Sequence, residues 1–416
     1  MTDAIAADVQ PGPEPSPLEG SYLGQSGELF RLALVTSFLT LITLGIYRFW
    51  GTTRIRRYVW SSITSESDSF EYTGTPVEKL LGFLLAVVVL AVSLGLIQLG
   101  LFFAGLSVFA PGDTPTDQVL AQALLNLSFL LLLPLWFFAM YRAYRYRMGR
   151  TRWRGIRFGV EDGAWGYAVR ALGYGVLTVL TLGLLAPLMT FKLEKYKADR
   201  TWFGNARFTQ HGRWQMLFPA LKVPAVGLGI ILLGFILIAA DAGVLGVLTS
   251  LGGSITLMVG IVRYRSHAFK IMTQSKILGE NVEFGCDLDP GEVARITIWG
   301  GIAAGVLTAL IFAIASGVIA VVSGLDFALL TDGVNPNLDQ TNAVILAVSP
   351  LVGTLLALLV YSAMILVFVH QPVLAHTVNT TYVRNPIALI SIKQRGEDLA
   401  EDADGFADAL DVGGAF

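Results

Sequence analysis

Eight long apolar segments constrain this chain more than any other feature of its sequence. Most exceed the roughly 20 residues that a helix needs to cross the hydrocarbon core of a bilayer. They lack period-2 alternation, and backbone groups in lipid must be satisfied internally, so helices are expected. The segments are Leu29–Trp50, Leu80–Ala110, Val119–Tyr141, Trp165–Phe191, Leu217–Ala240, Gly243–Val262, Ile296–Val322 and Ala343–Val369. The sequence therefore predicts an all-α polytopic membrane protein.

The charge content agrees with a membrane location. Charged residues make up 14% of the chain and hydrophobic residues 54%, whereas a soluble domain carries about 25% charged residues. Much of the surface must therefore face lipid. The net charge of −2 gives no bias toward nucleic acid, and no nucleic-acid partner is expected. The single cysteine, Cys286, excludes an intramolecular disulfide framework and a cysteine-rich metal site.

The loops between the apolar segments differ sharply in charge. Two of them, 111–118 and 325–342, contain aspartates and no base. The basic stretches are 48–57, 142–157, 192–213 and 263–276. Because short loops rich in Lys and Arg stay in the cytoplasm, the basic stretches are predicted to be cytoplasmic and the acidic loops to lie outside.

One segment conflicts with that rule. Trp165–Phe191 lies between two basic stretches, so a single crossing would put one of them outside. We expect this segment to re-enter or to lie along the interface, since Gly173, Gly175, Gly183 and Pro187 permit a bend. The matching segment Phe30–Trp50 should do the same, which gives six crossings with both termini in the cytoplasm. The alternative is about eight crossings.

Part of the chain recurs at a fixed offset. Leu39–Gly74 aligns without a gap with Leu177–Gly212, and nine of the 36 pairs are identical. This match predicts an internal duplication. The predicted organisation is a disordered acidic, Pro-rich tail (1–26), two membrane repeat units (27–162 and 163–290), a degenerate third unit (291–395) and an acidic C-terminal tail (396–416).

Each copy carries a basic and aromatic ladder at helical spacing. An i, i+3, i+4 pattern puts three side chains on one helix face, and cations beside aromatic rings suit an anionic ligand or lipid headgroup. The alternative is ordinary positive-inside anchoring. The candidate residues are Arg54, Arg57 and Tyr58 in the first copy and Lys192, Lys195 and Tyr196 in the second. After each ladder, SFEYTG and ARFTQHG alternate as strands do, so small cytoplasmic hairpins are possible.

These blocks resemble a known family. TLGIYRFWGTTRIRRY followed by FEYTG, TLGLLAPLMTFKLEKY followed by ARFTQHG, and the ending GFADALDVGGAF are similar to the YjgN-type family of bacterial inner-membrane proteins, a domain of unknown function. The resemblance covers most of residues 20–416. It implies a bacterial inner (plasma) membrane location and no established activity. In the last third, HQPVLAHTVNTT replaces the family's Pro-Trp and basic ladder.

The sequence offers no catalytic constellation. It contains no phosphate-binding loop, nucleophile elbow or metalloprotease motif, and its four histidines are scattered, so no enzyme activity, cofactor or metal is expected. Gln98 is the clearest polar group inside a crossing. Transport of a small molecule or lipid is the first functional expectation, favoured by the duplication and the interrupted half-segments. The alternative is a non-transporting membrane-organising or interaction protein that binds anionic lipid headgroups at the cytoplasmic face. The oligomeric state is not determined by these residues.

Overall fold

Helices form most of the structure. The computed structural model describes residues 16–104, 106, 114–323 and 340–396. Within these ranges, six helical stretches are long and apolar enough to cross a membrane. They are Pro76–Phe103, Thr116–Gly149, Trp214–Ala239, Gly243–Gln274, Pro290–Ile314 and Gly353–Asn379. The helices are α1 (Ser26–Ile42), α2 (Arg48–Ser61), α3 (Pro76–Phe103), α4 (Pro115–Gly149), α5 (Ala164–Leu180), α6 (Ala186–Ala198), α7 (Phe218–Ala239), α8 (Gly243–Gln274), α9 (Pro290–Ser323), α10 (Gln340–Ile365) and α11 (Gln371–Asn379).

Two segments form bent pairs of short helices. Turns at 43–47 and 181–185 connect α1 to α2 and α5 to α6. Both α1 and α5 have 17 residues, which is about 25 Å of helix against a hydrocarbon core of about 30 Å. Each turn is closed by a glycine: the amide of Gly45 donates to the Thr40 carbonyl and that of Gly183 to the Thr178 carbonyl, both at 2.7 Å. These glycines have φ of +95° and +88°, a conformation that favours glycine. The bends lie in the two segments where the sequence predicts them.

The barrel is the largest departure from the sequence prediction. Ten antiparallel strands form a closed barrel in the order β1-β10-β9-β8-β7-β6-β5-β4-β3-β2, so the all-α prediction is wrong. The SFEYTG and ARFTQHG segments contribute β3 and β7. The strands are β1 (Leu18–Tyr22), β2 (Ile63–Ser65), β3 (Asp68–Tyr72), β4 (Thr151–Trp153), β5 (Ile156–Val160), β6 (Thr201–Phe203), β7 (Ala206–Gln210), β8 (Lys276–Leu278), β9 (Val282–Cys286) and β10 (Thr381–Val383).

Five strand pairs build this barrel, and helices lead into and out of each pair. Four pairs are hairpins of consecutive strands, from β2–β3 to β8–β9. The fifth pair joins distant parts of the chain, because β1 pairs with β10 and Leu18 lies opposite Val383. Residues 18–22 therefore form a strand, although they belong to the predicted disordered tail. They are ordered because both edges of β1 are paired, with β10 on one side and β2 on the other.

An aromatic core fills most of the barrel. The central residues of β3, β5, β7 and β9 are phenylalanines, whose consecutive rings stack with centroids 6.4, 6.5 and 5.9 Å apart. Each is paired across the ladder with another apolar side chain. The pairs are Phe70–Trp153, Phe158–Phe203, Phe208–Leu278 and Phe284–Val383. At the equivalent position of β1, Gly20 lies opposite Ser65, so the fifth pair has small side chains.

A short 3-10 helix after β10 packs against this core. It spans Pro386–Ser391, and its Leu389 joins the cluster that contains Phe203 and Leu278. The segment is fastened to a hairpin turn, because the Lys393 amide donates to Oδ1 of Asn205 at 3.0 Å. The barrel interior is thus apolar and largely aromatic.

Several sequence predictions lie outside the described residues. They concern Asp113 and the aspartates of the 325–342 loop, most of the N-terminal tail, and the acidic tail from residue 397 onward. The unit boundaries and the internal duplication remain predictions.

Candidate functional site: the barrel rim

The first ladder fastens α2 to the ends of two barrel strands. We call the junctions between strands and helices the barrel rim. Arg57 Nη2 donates to the carbonyl of Gly74, just beyond β3, at 3.0 Å. The Tyr58 hydroxyl donates to the Gln25 carbonyl at 3.1 Å and accepts from the Gln25 amide at 2.7 Å. Arg54 is exposed and donates to the Tyr47 hydroxyl at 3.1 Å.

The second ladder makes corresponding contacts. Lys195 Nζ donates to the carbonyl of Gln210, at the end of β7, at 2.6 Å. The Tyr196 hydroxyl donates to the Gly163 carbonyl, just before α5, at 2.9 Å. Lys192 is exposed. The helical spacing therefore identified groups that hold helices to the barrel, with Arg54 and Lys192 presenting their cations outward. A headgroup contact at these six residues remains a prediction.

A partly buried ion cluster connects α6 to the barrel. Glu194 pairs with Lys197 at 2.6 Å and with Lys276, the first residue of β8, at 3.5 Å. Burial alone would raise the pKa of Glu194, but the two lysines outweigh it and hold this pKa at about 2. Burial likewise opposes the charged form of Lys197, and Glu194 raises its pKa in spite of that. The cluster is thus ionised at neutral pH.

The barrel contains a cavity beside Gly20. It measures about 290 Å³ and is lined by the four phenylalanines together with Ile63, Thr64 and Ser65, among others. A Cβ on Gly20 would lie 2.7 Å from the Val378 carbonyl oxygen of α11, so the close approach of α11 requires glycine there. The sequence analysis missed this cavity. Its available signal was the phenylalanine that recurs in SFEY, IRFG, ARFT and VEFG.

Other sequence candidates have structural partners. Gln98 Nε2 donates to the Ser128 hydroxyl at 2.9 Å, which links α3 to α4. In the part of the chain that the structure describes, no three His, Cys, Asp or Glu side chains cluster as metal ligands would.

Comparisons with known proteins agree with the resemblance drawn from the sequence. A family model described as a bacterial protein of unknown function (DUF898) matches residues 17–300. The inner membrane protein YjgN of Salmonella typhimurium is 35% identical over 88 residues, which is 21% of this chain and 22% of that protein. The chain is therefore aligned to about a fifth of that relative's length. No solved structure matches it.

These matches confirm the family predicted from the sequence. The relative's name and the six apolar helices fit an inner-membrane location. The chain belongs to the DUF898 family of bacterial proteins of unknown function, as a membrane protein with several apolar helices.

Proposed function

We propose that this protein organises the membrane by binding anionic phospholipid at the barrel end of its helices. The segregation of charge supports this proposal. The chain has 29 Lys and Arg residues, and none occurs in 80–141, 223–262 or 296–383. Those ranges hold the described parts of the six long helices that lie away from the barrel, so the bases of these helices are confined to their barrel ends. Among the shorter helices, α2 begins with Arg48 beside the turn at 43–47. A bilayer with anionic headgroups on that side would attract this end of the molecule.

Apolar grooves between the helices suit the acyl chains of such lipids. One groove, of about 640 Å³, lies between α3, α4 and α5 and includes Leu85, Phe129, Arg142 and Trp165. Along α4 the groove runs from Phe129 to Arg142, which is nearer the barrel end of this helix. Apolar side chains line one end of the groove, and Arg142 with Trp165 lies toward the barrel. This is the order in which a bilayer leaflet changes from hydrocarbon to headgroup. The proposed role requires no catalytic step.

The two short helix pairs would enter the bilayer from the same side. Their turns expose large apolar residues, with Leu44 93% and Leu182 64% exposed, and such residues are stable in lipid rather than water. Because each pair begins and ends near the barrel, it would cover part of one leaflet and return. Under this proposal the barrel and the basic rim are cytoplasmic.

Lipid dependence of stability tests the proposal. The purified full chain in neutral detergent would be titrated with short-chain phosphatidylglycerol or phosphatidylcholine, and thermal unfolding followed by tryptophan fluorescence. We expect a larger rise in Tm with phosphatidylglycerol, because a ligand that binds the folded state stabilises it, and a smaller difference at high salt. Equal shifts with both lipids would overturn the proposal.

Labelling tests the orientation separately. Glu280 is exposed in the turn between β8 and β9, whereas Cys286 is buried. In a Cys286→Ala background, Glu280→Cys should react with an impermeant maleimide only after the cytoplasmic face is opened. Reaction in intact cells would place the barrel outside and contradict the orientation.

Transport of lipid is the second candidate. Helix pairs broken at corresponding glycines, Gly45 and Gly183, occur in transporters that bind substrate at interrupted helices. Proteoliposomes with a fluorescent phospholipid would distinguish the two. Bleaching by external dithionite that stops at the outer-leaflet fraction supports the organising role, and bleaching of both leaflets supports transport.

A further inference from the structure

A basic cleft lies between the barrel ends of α7 and α8 and the start of α9. It has a volume of about 330 Å³, and its apolar walls include Pro219, Val223 and Pro290. Its polar lining consists of four basic residues and no acid. They are Lys222 from α7 and Arg263, His267 and Lys270 from α8.

Helical spacing concentrates these bases. Arg263, His267 and Lys270 are at i, i+4 and i+7, which is a single face of α8. Arg263 and Lys270 are thus positively charged residues two turns apart on one face, with His267 between them. Arg265, two residues along and also exposed, points from the other side of α8. It does not line the cleft.

Neighbouring cations are neutralised within the protein, but those of the cleft are not. Lys195 pairs with Asp199 at 3.0 Å, and Lys197 pairs with Glu194 at 2.6 Å. In the described part of the chain, by contrast, no carboxylate pairs with the three permanent cations of the cleft. Asp289, which adjoins Pro290, accepts a hydrogen bond from the Gly291 amide at 2.8 Å. Among the described residues the charge of the cleft is therefore not compensated by an ion pair, which suits an anionic ligand.

We propose that this cleft binds a phosphate group through Lys222, Arg263 and Lys270, with His267 as a further donor. Phosphate suits the cleft because its oxygens accept several charge-assisted hydrogen bonds at once. Arg supplies a planar fork for two oxygens, and Lys supplies a compact charge. The cleft is at the barrel end of two candidate spans, where a lipid phosphate would lie, so it names a binding site for the lipid role proposed above and rests on that proposal for its ligand source. A free phosphate has the same chemistry.

Charge-neutral variants test the assignment with a matched control. Lys222→Gln, Arg263→Gln and Lys270→Gln each remove one cleft cation, and Arg265→Gln removes an equal charge from the other side of α8. Binding of dihexanoyl phosphatidylglycerol, dihexanoyl phosphatidylcholine and inorganic phosphate to the full chain in neutral detergent would be measured by calorimetry. We expect each cleft variant to bind phosphatidylglycerol about tenfold more weakly. Arg265→Gln should bind like the unaltered chain.

The outcomes separate the two proposals. If the unaltered chain prefers phosphatidylglycerol but the cleft variants match Arg265→Gln, the cleft assignment fails and the lipid role stands. If inorganic phosphate binds, the cleft variants weaken it and phosphatidylglycerol binds no more tightly than phosphatidylcholine, the cleft stands with free phosphate as its ligand, and the lipid role fails. If neither phosphatidylglycerol nor inorganic phosphate binds more tightly than phosphatidylcholine, both proposals fail.

Discussion

The barrel and the long helices differ in what holds them together. In the barrel, Phe203, Leu278 and Val282 are each 2% exposed and belong to one cluster. In the six candidate spans, only 11% to 28% of the residues in the most apolar window are buried within the chain. The barrel is therefore stabilised by its own packing, whereas the helices leave most of their apolar surface for lipid.

This difference indicates how the molecule is organised. Every helix or helix pair starts or ends at a strand, and the barrel closes only when β1 and β10, from opposite ends of the described chain, pair. Such non-local pairing is entropically costly and forms slowly. The barrel thus joins helices from along the whole described chain, although these helices leave most of their apolar surface exposed.

The largest effect should come from removing an aromatic ring in the barrel core. Phe203 contacts the rings of Trp153 and Phe158, with centroids 5.7 and 4.7 Å away. Phe203→Ala should lower the free energy of unfolding by about 3–5 kcal/mol, since it leaves a cavity in a packed core. The measurement is denaturant unfolding in detergent followed by tryptophan fluorescence.

Phe129 provides the matched control. It is 66% exposed on α4, so Phe129→Ala removes the same ring from a surface that detergent or lipid covers. Its effect should stay within about 0.5 kcal/mol. Equal losses for the two variants would mean that the helices are packed as tightly as the barrel, which contradicts the comparison.

An intermediate effect is expected where two long helices do touch. The α7–α8 hairpin is packed through glycines, and a Cβ on Gly253 would lie 2.7 Å from the backbone nitrogen of Ile231. Small residues allow membrane helices to approach this closely. Gly253→Leu should cost about 1–3 kcal/mol, because the helices must separate. Circular dichroism during thermal unfolding in nanodiscs would measure it.

Substitution of the adjacent Gly252 tests whether lost packing between α7 and α8 causes the destabilisation. A Cβ on Gly252 would meet nothing within 4 Å, so Gly252→Leu adds the same side chain toward lipid. Both substitutions gain the same helix propensity, and the difference between them reports the interface. A Gly252→Leu protein as unstable as Gly253→Leu would show that α7 and α8 are not held by this contact.

The sequence was informative wherever structure is local. Hydropathy identified the long helices. The charges of the flanking loops indicated a bend in Trp165–Phe191, and the repeat extended it to Phe30–Trp50. The barrel was hidden because half of its strands have three residues, as in Thr151–Trp153 and Thr381–Val383, which is too short for alternation to be seen. Closure also pairs Leu18 with Val383, a contact that no local pattern encodes.

The candidate site likewise combines local features, which the sequence reveals, with contacts between distant residues, which it does not. Helical spacing placed Arg57 and Tyr58 on one face, and this spacing is local. Their partners, the backbones of Gly74 and Gln25, are brought there by barrel pairing. The basic cleft was missed because Lys222 and Arg263 come from different helices, and their approach depends on how α7 packs against α8.

The smallest effect should appear at the junction between the two regions, where Glu194 on α6 pairs with Lys276 on β8. The folded-state pKa of Glu194 is about 2, below the value of about 4.3 for an unfolded glutamate. The pair therefore contributes its full stabilising free energy above about pH 4.3, and this stabilisation is lost as the pH falls from there toward 2. Because the side chain is about one-third exposed, this contribution should be about 1 kcal/mol.

Glu194→Gln should remove that part of the pH dependence. Its Tm at pH 7 should be slightly lower than that of the unaltered protein, and the difference should shrink between pH 4 and pH 2. Glu280→Gln, at an exposed turn, should leave the profile unchanged. If Glu194→Gln keeps the original dependence of Tm on acid pH, the ion cluster does not hold the junction. The junction is then held by the hydrogen bonds that the Lys195 and Tyr196 side chains donate to the backbone carbonyls of Gln210 and Gly163.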